Sequence, residues 1–158
     1  MSKLLLTAVL AIVAAVSAVP IAAADADPVV GTWQLNAAKS TFTSGPAIKS
    51  QTRTYSQSGS SITLVMKTVG ADGKEATTHT TYQLNGKDFP VTGTPDYDSL
   101  AGKQVDSATA EFTLKKGGKT IGTTSRTVSK DGKTLTSKNK STTASGEKSN
   151  YVLVFGKQ

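Results

Sequence analysis

The sequence predicts an all-β fold, an antiparallel up-and-down meander that closes into a barrel of about nine strands. Three observations carry this. Turn signals recur at regular spacing, with Asp72-Gly73-Lys74, Asn85-Gly86-Lys87, Gly117-Gly118-Lys119 and Asp131-Gly132-Lys133 each placing Asn, Asp or Gly before Gly, and Ser145-Gly146-Glu147 a looser version. Tight hairpins demand the positive φ angles those residues tolerate. The runs between them are rich in Thr, whose branched Cβ packs well on a pleated surface. Crossover signals are nearly lacking, so consecutive strands should be antiparallel neighbours, and closing the meander removes exposed edges.

Taken from the start, Met1-Ser2-Lys3 is a short positive opening, Leu4 to Val16 an apolar run, and Ala22-Ala23-Ala24 a small-residue cleavage site. Pro20 ends that run short of the ~20 apolar residues a membrane span needs. Residues 1–24 are therefore expected to be a cleaved signal peptide and residues 25–158 an exported domain, periplasmic or secreted. The chain has no cysteine, so the export route brings no disulfide, thiol nucleophile or lipid-modified N-terminus. Strands are expected at about 29–35, 48–57, 61–69, 76–84, 99–105, 109–115, 120–128, 134–142 and 149–157. The 36–46 connection is too long for a tight hairpin, and Ala37 to Phe42 can make one helical turn with Phe42 at a barrel end. Residues 92–99 read as a proline-stiffened loop, structural or acting as a lid over the barrel mouth.

Alternation sets which side chains face in. Ile62, Leu64 and Met66 share a face, as do Tyr82 with Leu84 and Phe112 with Leu114, and these are placed inside. Large apolar residues are sparse beside Ser and Thr, so some hydroxyls should point inward and make the interior partly polar. The last strand, Tyr151 to Phe155, is apolar on both sides, which fits a strand covered on both faces or a closing strand against the N-terminal segment.

Charge is uneven. Residues 25–114 hold seven Lys or Arg against nine Asp or Glu, whereas residues 115–158 hold ten against two. Such asymmetry can serve an acidic partner. The simpler reading is that dispersed lysines at turns and on outer strand faces maintain solubility and block edge pairing. The lysines lack interleaved aromatics, and no nucleic-acid partner is expected.

Gly31-Thr32-Trp33-Gln34-Leu35 on the first strand resembles the Gly-x-Trp signature of lipocalins and the opening of fatty-acid-binding proteins, together the calycins. With Asn36-Ala37-Ala38-Lys39-Ser40-Thr41-Phe42, Gly86-Lys87-Asp88-Phe89-Pro90-Val91-Thr92-Gly93 and Ser129-Lys130-Asp131-Gly132-Lys133, it more closely resembles a group of exported bacterial lipocalin-like proteins of unassigned function. The resemblance implies a lipocalin-like barrel with Gly31 and Trp33 as its structural signature. It also implies that Trp33 packs at the closed barrel end beneath a late-strand arginine, for which Arg126 is the candidate. Fatty-acid-binding proteins hold a carboxylate with an arginine and a tyrosine on the final strand; here Asn150 to Lys157 has no arginine, so an uncharged or weakly polar ligand is expected in place of a fatty-acid anion.

Catalytic patterns are lacking. His79 is the sole histidine, and its parity with Thr77, Thr81 and Gln83 turns it outward, away from any interior metal or haem. Asp96-Tyr97-Asp98 has Leu100 and Ala101 where a calcium loop wants Asn or Asp and then Gly. No Gly-x-Ser-x-Gly elbow or phosphate-binding glycine loop occurs. The chain is expected to be no enzyme, to carry no cofactor, to be a monomer, and to make no stable membrane insertion after signal cleavage. Two classes remain. One is a carrier or sequestering protein taking a small hydrophobic or weakly polar molecule among Ile62, Leu64, Met66, Tyr82, Leu84, Phe112 and Leu114, with Arg53 and Arg126 as polar contacts. The other is an envelope-associated protein whose basic C-terminal half binds an anionic polymer or a protein.

Overall fold

A computed structural model describes residues 25–158, so the expected signal segment lies outside the described residues. Strands run β1 (Gly31–Leu35), β2 (Thr41–Ser44), β3 (Ile48–Ser58), β4 (Ser61–Gly70), β5 (Glu75–Tyr82), β6 (Asn85–Thr92), β7 (Ser99–Gln104), β8 (Thr109–Lys116), β9 (Lys119–Val128), β10 (Thr134–Thr142) and β11 (Lys148–Lys157). All pair antiparallel in the order β1-β3-β4-β5-β6-β7-β8-β9-β10-β11, and β1 pairs with β11 to close a ten-stranded barrel. Short β2 also pairs with β11, farther along it, so β1 and β2 act as one strand broken by a 3-10 turn at Ala37–Lys39. Asn36 Oδ1 caps that turn by accepting from Lys39 N. Phe42 lies in β2 with its ring 6.3 Å from that of Tyr151.

The barrel has one strand more than the nine expected, because Asn85–Thr92 forms β6. Its pairing is interrupted on both sides. Pro90 has no N–H to donate, β6 meets β5 only at His79–Thr92 and Thr80–Val91, and a bulge separates Asn85 from Asp88 on the β7 side. Gly86, at φ 77°, belongs to that bulge and not to a tight turn. The other turn signals behave as the residues require. Gly117 and Gly118 both take positive φ, 55° and 76°, between β8 and β9, as a type I′ hairpin needs. Exposed Asp72 and Asp131 accept backbone N–H groups of Lys74 and Lys133. These turn hydrogen bonds, with that from Ser129 to Asp131, hold both carboxyls below their ordinary range.

Alternation places the faces as the sequence predicts. Ile62, Tyr82, Phe112 and Leu114 are buried inside, joined by Leu100, Leu135, Leu153 and Phe155, while His79 is exposed on the outer face. Tyr82 and Phe112 meet edge to face at 5.2 Å. Thr78, Thr80, Ser137 and Ser149 are also buried, so the interior is partly polar. On β11, Tyr151, Leu153 and Phe155 turn in, and Val152 is exposed outside. This is a closing strand, not one covered on both faces. Among the described residues no helix is long and apolar enough to cross a membrane.

Gly93 ends β6 in a conformation that excludes a side chain. Its φ is 81°, and a Cβ there would stand 1.8 Å from the Thr77 carbonyl oxygen of β5. Gly93→Ala is expected to lower stability by more than ~1 kcal/mol, because backbone and not a flexible side chain must yield. A thermal melt followed by circular dichroism checks it; an unchanged midpoint would contradict the close approach.

Candidate ligand-binding site

The N-terminal segment closes one end of the barrel. Val29 and Trp33 are fully buried, and Trp33 Nε1 donates to the Val29 carbonyl at 2.7 Å. Asp27 accepts from Arg126 through both carboxylate oxygens, at 3.1 Å from Nη1 and 2.6 Å from Nη2. Its Oδ1 also accepts from Val29 N, and its own N–H donates to Gln57 Oε1 on β3. Arg126 is only 3 % exposed. Burial works against its charge, but the Asp27 carboxylate and nearby Tyr82 more than compensate and hold the proton more firmly than usual.

This arrangement differs from the one the resemblance implied, in which Arg126 covers Trp33. The side chain over the Trp33 ring is Lys157, its Nζ 5.1 Å from the centroid. The register explains the exchange. Lys157 is the cross-strand partner of Trp33, whereas β9 is separated from β1 by β10 and β11. Arg126 instead reaches Asp27 and stands 6.0 Å from the centroid of the Tyr55 ring.

Beyond this closed end the interior is open, with a cavity of about 300 Å³. Of the nine interior candidates, Arg53, Leu64, Met66, Tyr82, Phe112, Leu114 and Arg126 line it. Ile62 and Leu84 do not; Ile62 belongs to the hydrophobic core, and partly buried Leu84 packs against it. Residues that sequence reasoning missed also line it, among them Gln51, Tyr55, Leu100, Asn139 and Tyr151 on strands, and Tyr97 from the β6–β7 loop. The alternation of Gln51, Arg53 and Tyr55, and of Ser137 and Asn139, was the signal available for the strand residues. No comparable pattern marks Tyr97.

The β6–β7 loop lies at the cavity mouth, where Gly93 to Tyr97 are part of the lining. It is tied down at both sides. Asp96 Oδ1 accepts from Ala144 N in the β10–β11 turn at 3.0 Å, and Asp98 Oδ2 accepts from Gly117 N in the β8–β9 turn at 2.8 Å. The acidic pair singled out in Asp96-Tyr97-Asp98 thus fastens the loop to two hairpins. Among the described residues no group of three or more His, Cys, Asp or Glu is placed to hold a metal.

Burial pushes the Tyr82, Tyr97 and Tyr151 hydroxyls above the usual tyrosine range. Below pH ~10 these phenols are neutral folded or unfolded; above it the unfolded chain ionises first, so stability is lost as pH rises further. The expected result is a melting temperature that falls steeply above pH ~10, with tyrosinate absorbance appearing largely on unfolding. Full tyrosine titration at pH ~10 in a protein still folded would contradict it.

No protein-family model matches the chain, and no curated protein matches it. Among solved structures it resembles a redesigned β-barrel, mFAP1, determined bound to DFHBI, at 16% sequence identity and a TM-score of 0.43, over 82% of this chain and 95% of that one. The barrel assignment itself rests on the strand pairing described above.

Proposed function

We propose that the protein is an exported, non-catalytic binding protein that carries or sequesters one small, largely apolar molecule with a polar group inside its barrel. The observation that carries this reading is the interior cavity of about 300 Å³, at the small end of the ~300 to 1,000 Å³ range of ligand sites. Apolar Leu64, Met66, Leu100 and Leu114 stand on its wall among many Ser, Thr, Asn and Gln side chains, so the cavity suits a molecule with both an apolar body and a polar group. The resemblance to exported bacterial lipocalin-like proteins supports the same reading, and the signal-like pattern of residues 1–24 supplies its export component. Intact mass of the exported protein tests that component, with a start at or near Asp25 expected and retention of residues 1–24 contradicting it.

A binding surface for anionic polymer on the basic C-terminal half is the other reading. A shallow depression of about 590 Å³ on the outer face of β7–β10 includes Lys103, Lys138 and Lys140. Lys103 there stands 3.9 Å from Glu111, and the remaining lysines are spread over turns at both barrel ends, so charge is not gathered at one patch. The two readings separate by salt. Interior binding of the uncharged dye N-phenyl-1-naphthylamine is expected to saturate and to change little with ionic strength, whereas polymer binding through exposed lysines weakens as the screening length shortens to ~8 Å and below. No saturable dye binding together with salt-sensitive polymer binding would favour the second reading.

A further inference from the structure

The barrel interior contains two buried guanidinium groups, and they are treated differently. Arg126, at the closed end, is matched by the Asp27 carboxylate through two hydrogen bonds. Arg53, on β3, is 7 % exposed and lines the cavity. Among the described residues its side chain makes one hydrogen bond, from Nε to Gln51 Oε1 at 2.8 Å, and no carboxylate lies within the 4.0 Å of an ion pair. Asp96, the acidic residue in the cavity lining, is held at the mouth by Ala144 N. An isolated buried charge is costly, and the usual remedy is a paired, hydrogen-bonded counter-ion.

Arg53 is also held in place as a receptor would be. Its guanidinium carbon stands 4.5 Å from the centroid of the Phe155 ring. Gln51, which accepts from its Nε, is itself fixed by donating to Thr68 Oγ1 at 2.8 Å. This leaves the Nη1 and Nη2 edge, the edge that takes a carboxylate with two parallel bonds, without an acceptor. Tyr97 and Tyr151 line the same cavity, where Arg53 and the Asp96 carboxylate at the mouth act on both hydroxyls in opposite senses. Neither hydroxyl has a hydrogen-bond partner among the described residues, so both are free to donate to an anion.

We propose that the interior site takes a small carboxylic acid, its carboxylate received by Arg53 with Tyr97 and Tyr151 beside it, and its apolar body lying against Leu64, Met66 and Leu114. The proposal rests on the reading of the barrel as a small-molecule binder and departs from the uncharged ligand that an arginine-free final strand implied. The arginine comes from β3 instead.

The test uses N-phenyl-1-naphthylamine as the reporter of an occupied barrel, displaced in turn by octanoate and by octanol, which share a chain length and differ in charge. Octanoate is expected to displace the dye at a concentration about tenfold or more below that of octanol, the selectivity expected of hydrogen bonds to a charged group. Arg53→Met should bring the two displacers to about equal potency, read as the octanoate-to-octanol ratio within the variant whatever its own dye affinity, because the charge-assisted bonds are lost while the apolar wall stays. Tyr97→Phe should narrow the difference without abolishing it. Equal displacement by acid and alcohol in the unaltered protein would overturn the acid assignment and leave small-molecule binding standing. Failure of the dye to bind saturably would instead remove the underlying reading. If Arg53→Met does not fold by circular dichroism, the unaltered protein's octanoate-to-octanol ratio and its change in Tyr97→Phe decide the matter.

Discussion

Asp27→Asn is expected to destabilise the protein by ~3 to 5 kcal/mol, because it leaves the Arg126 guanidinium buried beside a neutral amide. That is a large share of the ~5 to 15 kcal/mol that keeps a domain folded. The pair joins residues 99 positions apart and fastens the N-terminal segment into the closed barrel end. The same chemistry predicts strong coupling. The double variant Asp27→Leu with Arg126→Met removes both charges, so it should be more stable than either single variant. Urea unfolding of the unaltered protein, Asp27→Leu, Arg126→Met and the double variant checks this; single losses that simply add would mean the two groups do not act as a pair.

Trp33→Ala is expected to cost ~3 to 5 kcal/mol, the range for truncating a large core aromatic. Trp33 has no exposed surface, and its indole N–H satisfies the Val29 carbonyl at 2.7 Å. The loss is thus a cavity and an orphaned acceptor together. Trp33→Phe should fall between, restoring much of the volume but not the hydrogen bond. An unchanged unfolding midpoint in Trp33→Ala would contradict the placement of this residue at the core of the closed end.

Local chemistry made most of the barrel legible. The glycine turns declared the antiparallel meander, and period-two alternation sorted Leu64, Met66, Phe112 and Leu114 to the inside and His79 to the outside, because a hairpin's register follows from its turn. β6 was hidden because Pro90 and the bulge at Asn85–Asp88 interrupt both ladder and alternation, leaving a strand that reads as a loop. The cavity wall was legible in part. Arg53 and Arg126 were named as polar candidates, but nothing local distinguishes a guanidinium matched by Asp27 from one facing open space. That difference depends on which distant segment folds beneath each strand. Tyr97 was out of reach for the same reason, since it enters the site from a loop held by hydrogen bonds to two turns remote in sequence.

The central claim is that the barrel interior receives a small molecule, and methyl NMR during an octanoate titration tests it most directly. The account predicts saturable shifts in the methyl signals of Leu64, Met66, Leu100 and Leu114, which line the cavity, while Val105 and Val152, 53 % and 36 % exposed on the outside, stay in place. Shifts confined to the outer valines, or interior methyls unmoved at millimolar octanoate, would contradict it.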